Sequence, residues 1–155
     1  MSARGALRLH LLVVGKARAP LDAPAREYER RVDELVGLRV HEVTAERGGA
    51  GGRAEAKRLR ARLPDRAWRV ALDPAGKVPG DSAAFSRWLA RRLEEPRPTA
   101  LLIGGAGGLD PELAAEAEER LSLGPLTLPH QLARVVLAEQ LYRGACLLRG
   151  HPYPR

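Results

Sequence analysis

Short apolar runs, turn residues and amphipathic stretches alternate along this chain. Leu7 to Val14 is rich in Leu and Val, is interrupted only by Arg8 and His10, and stops at Gly15, which predicts a buried strand. From about Ala25 to Val36, Tyr28, Val32, Leu35 and Val36 recur at helical spacing, and Gly37 ends the helix. Leu38, Val40 and Val43 alternate with polar neighbours as a second strand. Glu46 to Arg53 holds four glycines and two arginines and reads as a mobile loop, before a short basic helix from Ala54 to Leu63 that Pro64 stops. Trp68 to Leu72 is the third strand, with a turn over Asp73 to Lys77 at its carboxyl end. Asp81 or Ser82 caps a helix that carries Phe85, Trp88, Leu89 and Leu93 and ends before Pro96.

Thr99 to Ile103 is the fourth strand, and Gly104-Gly105-Ala106-Gly107-Gly108 follows it directly. Asp110 caps the next helix with Pro111 at its first position; this helix holds Leu113 and Ala117 and ends near Leu121. Leu126 to Leu128 reads as a very short strand, and Pro129-His130 opens a last helix through Leu132, Val135, Val136, Leu141 and Tyr142. The two prolines of His151 to Arg155 exclude a helical end. Strands and helices alternate throughout, which predicts one α/β domain over residues 1–155 with a mainly parallel sheet of about five strands. Ligands of such sheets sit beyond the carboxyl ends of strands where strand order reverses. The turn after Leu72, the glycine loop after Ile103 and the segment before His130 all fall there.

Composition narrows the function classes. The chain has 155 residues and a net charge of +7, and lysine supplies only Lys16, Lys57 and Lys77 of its 26 basic residues. The arginine excess follows codon usage in a GC-rich genome more than function, but the positive total points to an anionic partner. The apolar runs are too short for a membrane span, and Met1 to Ala6 carries no secretory signal. A single cysteine, Cys146, excludes an internal disulfide framework and fits a cytoplasmic location; it reads as a small buried residue. The four histidines are scattered, so no metal site is expected.

Three segments could carry chemistry. The glycine loop lacks the third glycine of a dinucleotide fingerprint and the Gly-Lys-Ser/Thr of a phosphate loop, so it is either a ligand-approaching loop or a tight connection. Gly124, Pro125 and Pro129 force an irregular backbone from Leu121 to His130 that leaves amides free for an adenine edge beside Leu123, Leu126 and Leu128. His130 reads as a helix cap or a core hydrogen-bonder. In the tail, His151, Tyr153 and Arg155 combine a titratable ring, a stacking ring and a phosphate partner. Arg134 and Arg143 lie on roughly opposite sides of the last helix, one for a partner and one for a ligand, with Glu139 placed to pair with Arg143.

The chain resembles the RlmH family, the 23S rRNA pseudouridine-N3 methyltransferases of the SPOUT class. The resemblance rests on Leu72-Asp73 with Gly76-Lys77, Leu101 to Gly105 with Gly108-Leu109, Leu126 to His130, Ala138 to Arg143, and His151-Pro152-Tyr153. It implies an α/β fold with a C-terminal trefoil knot, an obligate homodimer, and RNA of an assembled ribosome as substrate. It implies that S-adenosylmethionine, the methyl donor, is held by Leu72, Gly104, Gly105, Gly124, Pro125, Leu126, Thr127, Leu128 and Pro129. Arg134 and Arg155 are expected on RNA, and His151, Tyr153 and Arg143 at the acceptor base, with His151 the proton acceptor. The chain departs from the family pattern at Gly144, where alanine is usual, and at Pro154, where a basic residue is usual. The rival reading is a non-catalytic basic module that binds RNA or the ribosome.

Overall fold

The alternation of elements builds an all-parallel five-stranded sheet. A computed structural model describes residues 7–47 and 52–153. In chain order the elements are β1 (Leu9–Val14), α1 (Asp22–Val36), β2 (Arg39–Val43), α2 (Gly52–Arg62), β3 (Trp68–Lys77), α3 (Ser82–Glu94), β4 (Thr99–Ile103), α4 (Pro111–Ala115), β5 (Glu119–Leu121) and α5 (His130–Arg149). The strands stand in the order β2-β1-β4-β3-β5.

Every residue of β1 and β4 is buried, as befits strands covered on both faces. Leu9, Leu11 and Val13 turn to one layer with Val32 of α1, Phe85 and Leu89 of α3, and Leu137 and Leu141 of α5. Leu12 and Val14 turn to the other, with Ala56 and Leu59 of α2 and Leu113 of α4. Each sideways step from β1 to β2 or β3 to β4 therefore carries its helix on one face. Each step back carries it on the other. All four crossovers share one hand, as right-handed parallel connections require.

The capping residues stand where the sequence puts them. Asp81 accepts from the Ala84 amide at 2.7 Å, and Asp110 accepts from the Leu113 amide at 3.2 Å ahead of Pro111. Gly37 closes α1 with φ +83°. Cys146 is buried. At Gly144 the α3 and α5 backbones come close: Ser86 Oγ donates to the Gly144 carbonyl at 2.9 Å, and an added Cβ would lie 3.3 Å from Leu89. The departure to glycine there serves helix packing.

The fifth strand is where the sequence reading goes wrong. Residues 126–128 form no strand; β5 is Glu119–Leu121, inside the stretch assigned to the preceding helix, which stops at Ala115. Side chains that the alternation pattern does not capture hold β5 on the sheet edge. Glu119 accepts from both indoles, Trp88 Nε1 at 2.7 Å and Trp68 Nε1 at 3.2 Å, while Glu118 takes the Arg69 amide and the Arg97 guanidinium at 2.7 Å each. Likewise Asp73 to Lys77 is no free turn. It continues β3 through a register shift beside Leu121, and a Cβ on Gly76 would meet the Arg120 carbonyl at 2.7 Å. The middle of the glycine-rich loop, 48–51, lies outside the described residues. No helix among the described residues is long and apolar enough to cross a membrane.

Between β1 and β2, His10 Nδ1 and His41 Nε2 stand 3.1 Å apart with stacked rings. Burial lowers both pKa values from 6.5, helped by His41 and Arg39 at His10 and by Arg39 and Arg62 at His41. The unfolded chain therefore binds protons before the folded one does. Stability is full above about pH 6.5 and is lost as the pH falls through the folded values. Denaturation midpoints should drop between about pH 7 and pH 5, and the drop should shrink in His41→Gln; an identical pH profile in the variant would contradict this.

Candidate active site

In a parallel sheet, crevices open at carboxyl ends wherever neighbouring strands send their following helices to opposite faces. Here that occurs between β2 and β1 and on both sides of β4. The β3–β4 crevice holds a cavity of about 790 Å³, within the range of small-molecule sites. Three separated segments wall it: Leu72 to Pro74, Ile103 to Leu109 of the glycine loop, and Leu123 to Pro129 running into α5. Of the nine residues expected on a cofactor, all line this cavity except Pro125, which is exposed beside it.

The local chemistry explains the convergence. A side chain on Gly104 would overlap the backbone of Gly108 and Leu109, so only glycine lets the loop fold back on β4. Gly108 N donates to the Gly105 carbonyl at 2.9 Å and closes that turn. The buried Ser122 is the staple of the third wall. Its amide donates to the Lys77 carbonyl at 2.9 Å, its hydroxyl reaches the carbonyls of Pro74 at 3.1 Å and Gly124 at 2.8 Å, and it accepts the Gly124 amide at 3.1 Å. Among the described residues, the amides of Leu126, Thr127 and Leu128 make no hydrogen bond, and Leu126 is 79% exposed. The sequence reading missed Ser122, along with Asp73, Leu109, Arg120 and Ala133 on the wall; Ser-x-Gly ahead of a proline was the local cue for a side-chain turn.

His130 is neither a cap nor a core residue. Pro129 is the N-cap without a side-chain bond, and the His130 ring is half-buried on the cavity wall, 3.4 Å from the Gln131 side-chain amide.

Arg134 is not on the surface, which corrects its expected role on RNA. Its guanidinium is 3% exposed and sits in a fork of carboxylates: Glu29 at 2.7 and 3.0 Å, and Glu42 at 2.7 Å. Burial lowers its pKa, the hydrogen bonds to the two glutamates raise it, and the net direction is up. Arg155 lies outside the described residues.

The described part of the tail, His151 to Tyr153, stands away from its own chain's cavity. Tyr153 lies back along α5, its hydroxyl donating to Glu139 at 2.9 Å and its ring 4.5 Å from that of Tyr142. Arg143 donates to the same Glu139 oxygen at 3.0 and 2.6 Å, the helical pair that spacing suggests. His151 is exposed, and its Nδ1 accepts weakly from the Tyr153 amide at 3.4 Å. Glu139 is about 14 Å along α5 from His130, and Arg143 about 20 Å. Two constellations thus stand apart on one chain.

A parallel sheet with a loop-walled cavity beside its glycine-bearing strand defines an α/β protein with a small-molecule site at a topological switch point. The model of the family described as "Predicted SPOUT methyltransferase" matches residues 7–154, and the chain belongs to that family. Similar proteins named "Ribosomal RNA large subunit methyltransferase H" come from Gemmatimonas aurantiaca (48% identity, 95% of this chain, 99% of the relative), Gluconacetobacter diazotrophicus (44%, 95% and 97%) and Acidiphilium cryptum (45%, 100% and 98%). Their identity and coverage put the chain in that RlmH group of the family.

Gly104→Ala should leave the sheet folded but distort the loop wall. Calorimetry with S-adenosylmethionine should show binding weakened at least about tenfold, since even one backbone displacement near 1 Å is costly in a preorganised site. Binding equal to the parent would contradict this account of the wall.

Proposed function

We propose that the chain transfers the methyl group of S-adenosylmethionine to N3 of a pseudouridine in 23S rRNA of the assembled ribosome, in the cytoplasm and as a homodimer. The observation that carries the reading is the β3–β4 cavity with its unpaired 126–128 amides, in a chain of this family. The cavity fits the donor: Leu72, Ile103, Leu123, Leu126 and Leu128 are apolar walls for an adenosine, and the free amides suit the edge of its ring. When bound, S-adenosylmethionine supplies an electrophilic methyl group on a sulfonium. The trefoil knot implied by the resemblance belongs to the passage from β4 through β5 and residues 122–129 into α5.

N3 of a pseudouridine is a poor nucleophile while protonated, so a proton acceptor must stand beside it. Tyr153 is unsuited to that task. Burial, then hydrogen bonds with Tyr28 and Glu139, push its pKa up, and its hydroxyl is a donor. His151, exposed and lightly held, takes the proton. Tyr153 stacks on the base, and Arg143, paired with Glu139, keeps the phenol in place. Arg155 reaches nearby phosphate.

Because α5 separates tail and cavity on one chain, the tail of one protomer completes the cavity of its partner. A stripe along α5 supports such pairing: Leu132, Val136, Gln140, Arg143 and Leu147 recur at helical spacing, and Leu147 is exposed.

Ribosomes lacking the modification, incubated with the protein and labelled S-adenosylmethionine, should gain label on one pseudouridine of 23S rRNA, located by mass spectrometry. No label, or label on another nucleotide, overturns the reading.

His151→Ala should lower turnover by about 10²- to 10⁴-fold with cofactor binding intact. Unchanged turnover at saturating cofactor removes it from the proton-acceptor role. Mixing His151→Ala with Gly104→Ala should restore activity through hybrid dimers; an active monomer by light scattering would refute the shared site.

A further inference from the structure

The other crevice beside β4, between β1 and β4, holds a second cavity of about 230 Å³. It is below the ~300 Å³ at which sites for whole small ligands begin, so it suits a fragment of a larger partner. Gly105, Ala106 and His130 line both cavities, so the glycine loop and the start of α5 are a shared partition. The outer wall of the second cavity is the segment after β1, with Lys16 and Arg18.

That segment is held to an unusual degree for an exposed connection. Gln131 donates to the Lys16 carbonyl at 2.9 Å and accepts the Arg18 amide at 3.3 Å. Glu42 accepts the intervening Ala17 amide at 3.1 Å and is itself ion-paired with buried Arg134. Three consecutive residues are thereby held through their backbone, Lys16 and Arg18 by Gln131 of α5 and Ala17 by Glu42 of β2. The two side chains are left exposed, and neither makes an ion pair among the described residues. The acids facing this cavity are already engaged: Glu46 pairs with Arg58, and buried Glu55 accepts the Glu46 amide at 2.9 Å. Glu55 keeps its charge, but with Glu46 paired to Arg58 the two exposed cations outnumber it, so the balance at this cavity is positive, on a rigid mount, one loop thickness from the cofactor cavity.

We propose that the β1–β4 crevice seats the RNA backbone next to the acceptor nucleotide, with Lys16 and Arg18 gripping its phosphates. This rests on the RNA methyltransferase reading above. It assigns the RNA contact once expected of Arg134 to the two cations that Arg134 helps to position. Fixing a cationic loop in advance reduces the ordering cost of binding, and each phosphate contact adds salt-dependent affinity.

The test uses the full-length protein, a fluorescein-labelled stem-loop RNA from the large subunit, and anisotropy at several salt concentrations. Lys16→Gln/Arg18→Gln should weaken RNA binding about tenfold or more and flatten the plot of log Kd against log salt by about 0.7 for each phosphate no longer gripped. Binding of S-adenosylmethionine should be unchanged, which also reports that the variant is folded. Arg18→Lys should recover most of the affinity, and Arg91→Gln, at the far end of α3, should match the parent. Parent-like affinity and slope in the double variant overturn the proposal. So does an equal loss in Arg91→Gln, which would reduce the effect to net charge. If the double variant loses cofactor binding, the two single Gln variants decide by the same criteria. Methyl transfer is not the readout, so RNA binding that depends on Lys16 and Arg18 in a protein that labels no rRNA would count against the methyltransferase reading and not against this crevice.

Discussion

The fork of carboxylates around Arg134 ties α5 to α1, to β2 and to the segment after β1. Its guanidinium is the only buried cation of α5, and it joins α5 to α1 through Glu29 and to β2 through Glu42. Glu42 in turn holds the segment after β1 through the Ala17 amide. Burial raises the Glu42 pKa, the bonds from Arg134 and Ala17 lower it, and the net direction is down. Removing one member of such a buried set typically costs about 3–5 kcal/mol, because the others remain buried without a partner. The set therefore fixes the angle at which α5 leaves the sheet. That angle decides where His130, Gln131 and Ala133 meet the two crevices.

A second constraint comes from topology. One reversal of strand order gives a doubly wound sheet one binding crevice; here β4 has a neighbour of opposite helix placement on each side and so has two. Only the glycine loop and the first turn of α5 stand between them. A thin partition keeps the β1–β4 crevice close to the β3–β4 cavity, as the proposal requires if RNA backbone held in the first is to leave its neighbouring nucleotide at the second. A side chain at Gly105 would already press on Val14 at 3.0 Å and on the Glu55 carboxylate at 3.4 Å. The glycines thus keep the wall one backbone thick.

Most of this framework was legible in the sequence wherever one signal dominated. Buried parallel strands announced themselves as Leu/Val runs, and Asp81, Asp110-Pro111 and Gly37 marked helix ends by local chemistry. The errors occur where tertiary contacts outweigh local pattern. Glu119-Arg120-Leu121 has no apolar alternation, and it is held on the sheet edge because two tryptophans take Glu119 while the Arg69 amide and the Arg97 guanidinium take the preceding Glu118. Leu126 to Leu128 has the alternation, but Gly124 and the Ser122 staple turn it away from the sheet. Arg134 looked like any surface arginine on a helix, since its partners lie 105 and 92 residues away in sequence. The cavity walls were readable because glycine and proline declare irregular backbone locally. The relation of tail to cavity was not, because it depends on the length and direction of α5.

That relation also separates the roles of the tail residues. One oxygen of Glu139 receives the Arg143 guanidinium twice and the Tyr153 hydroxyl once. A carboxylate so engaged holds the phenol as a donor and cancels most of the arginine's charge, so this trio shapes a surface and does not move protons. The imidazole of His151 escapes the trio because Gly150 and Pro152 carry it off the helix axis, leaving the ring exposed. Shape comes from a bonded cluster whose charges cancel, while the proposed proton and phosphate contacts fall to exposed side chains: His151 in the tail, and Lys16 and Arg18 across the partition. The trio and His151 stand toward the carboxyl end of α5 while Lys16 and Arg18 are held at its amino end, which is why the proposed reading brings the tail of a second chain to the base.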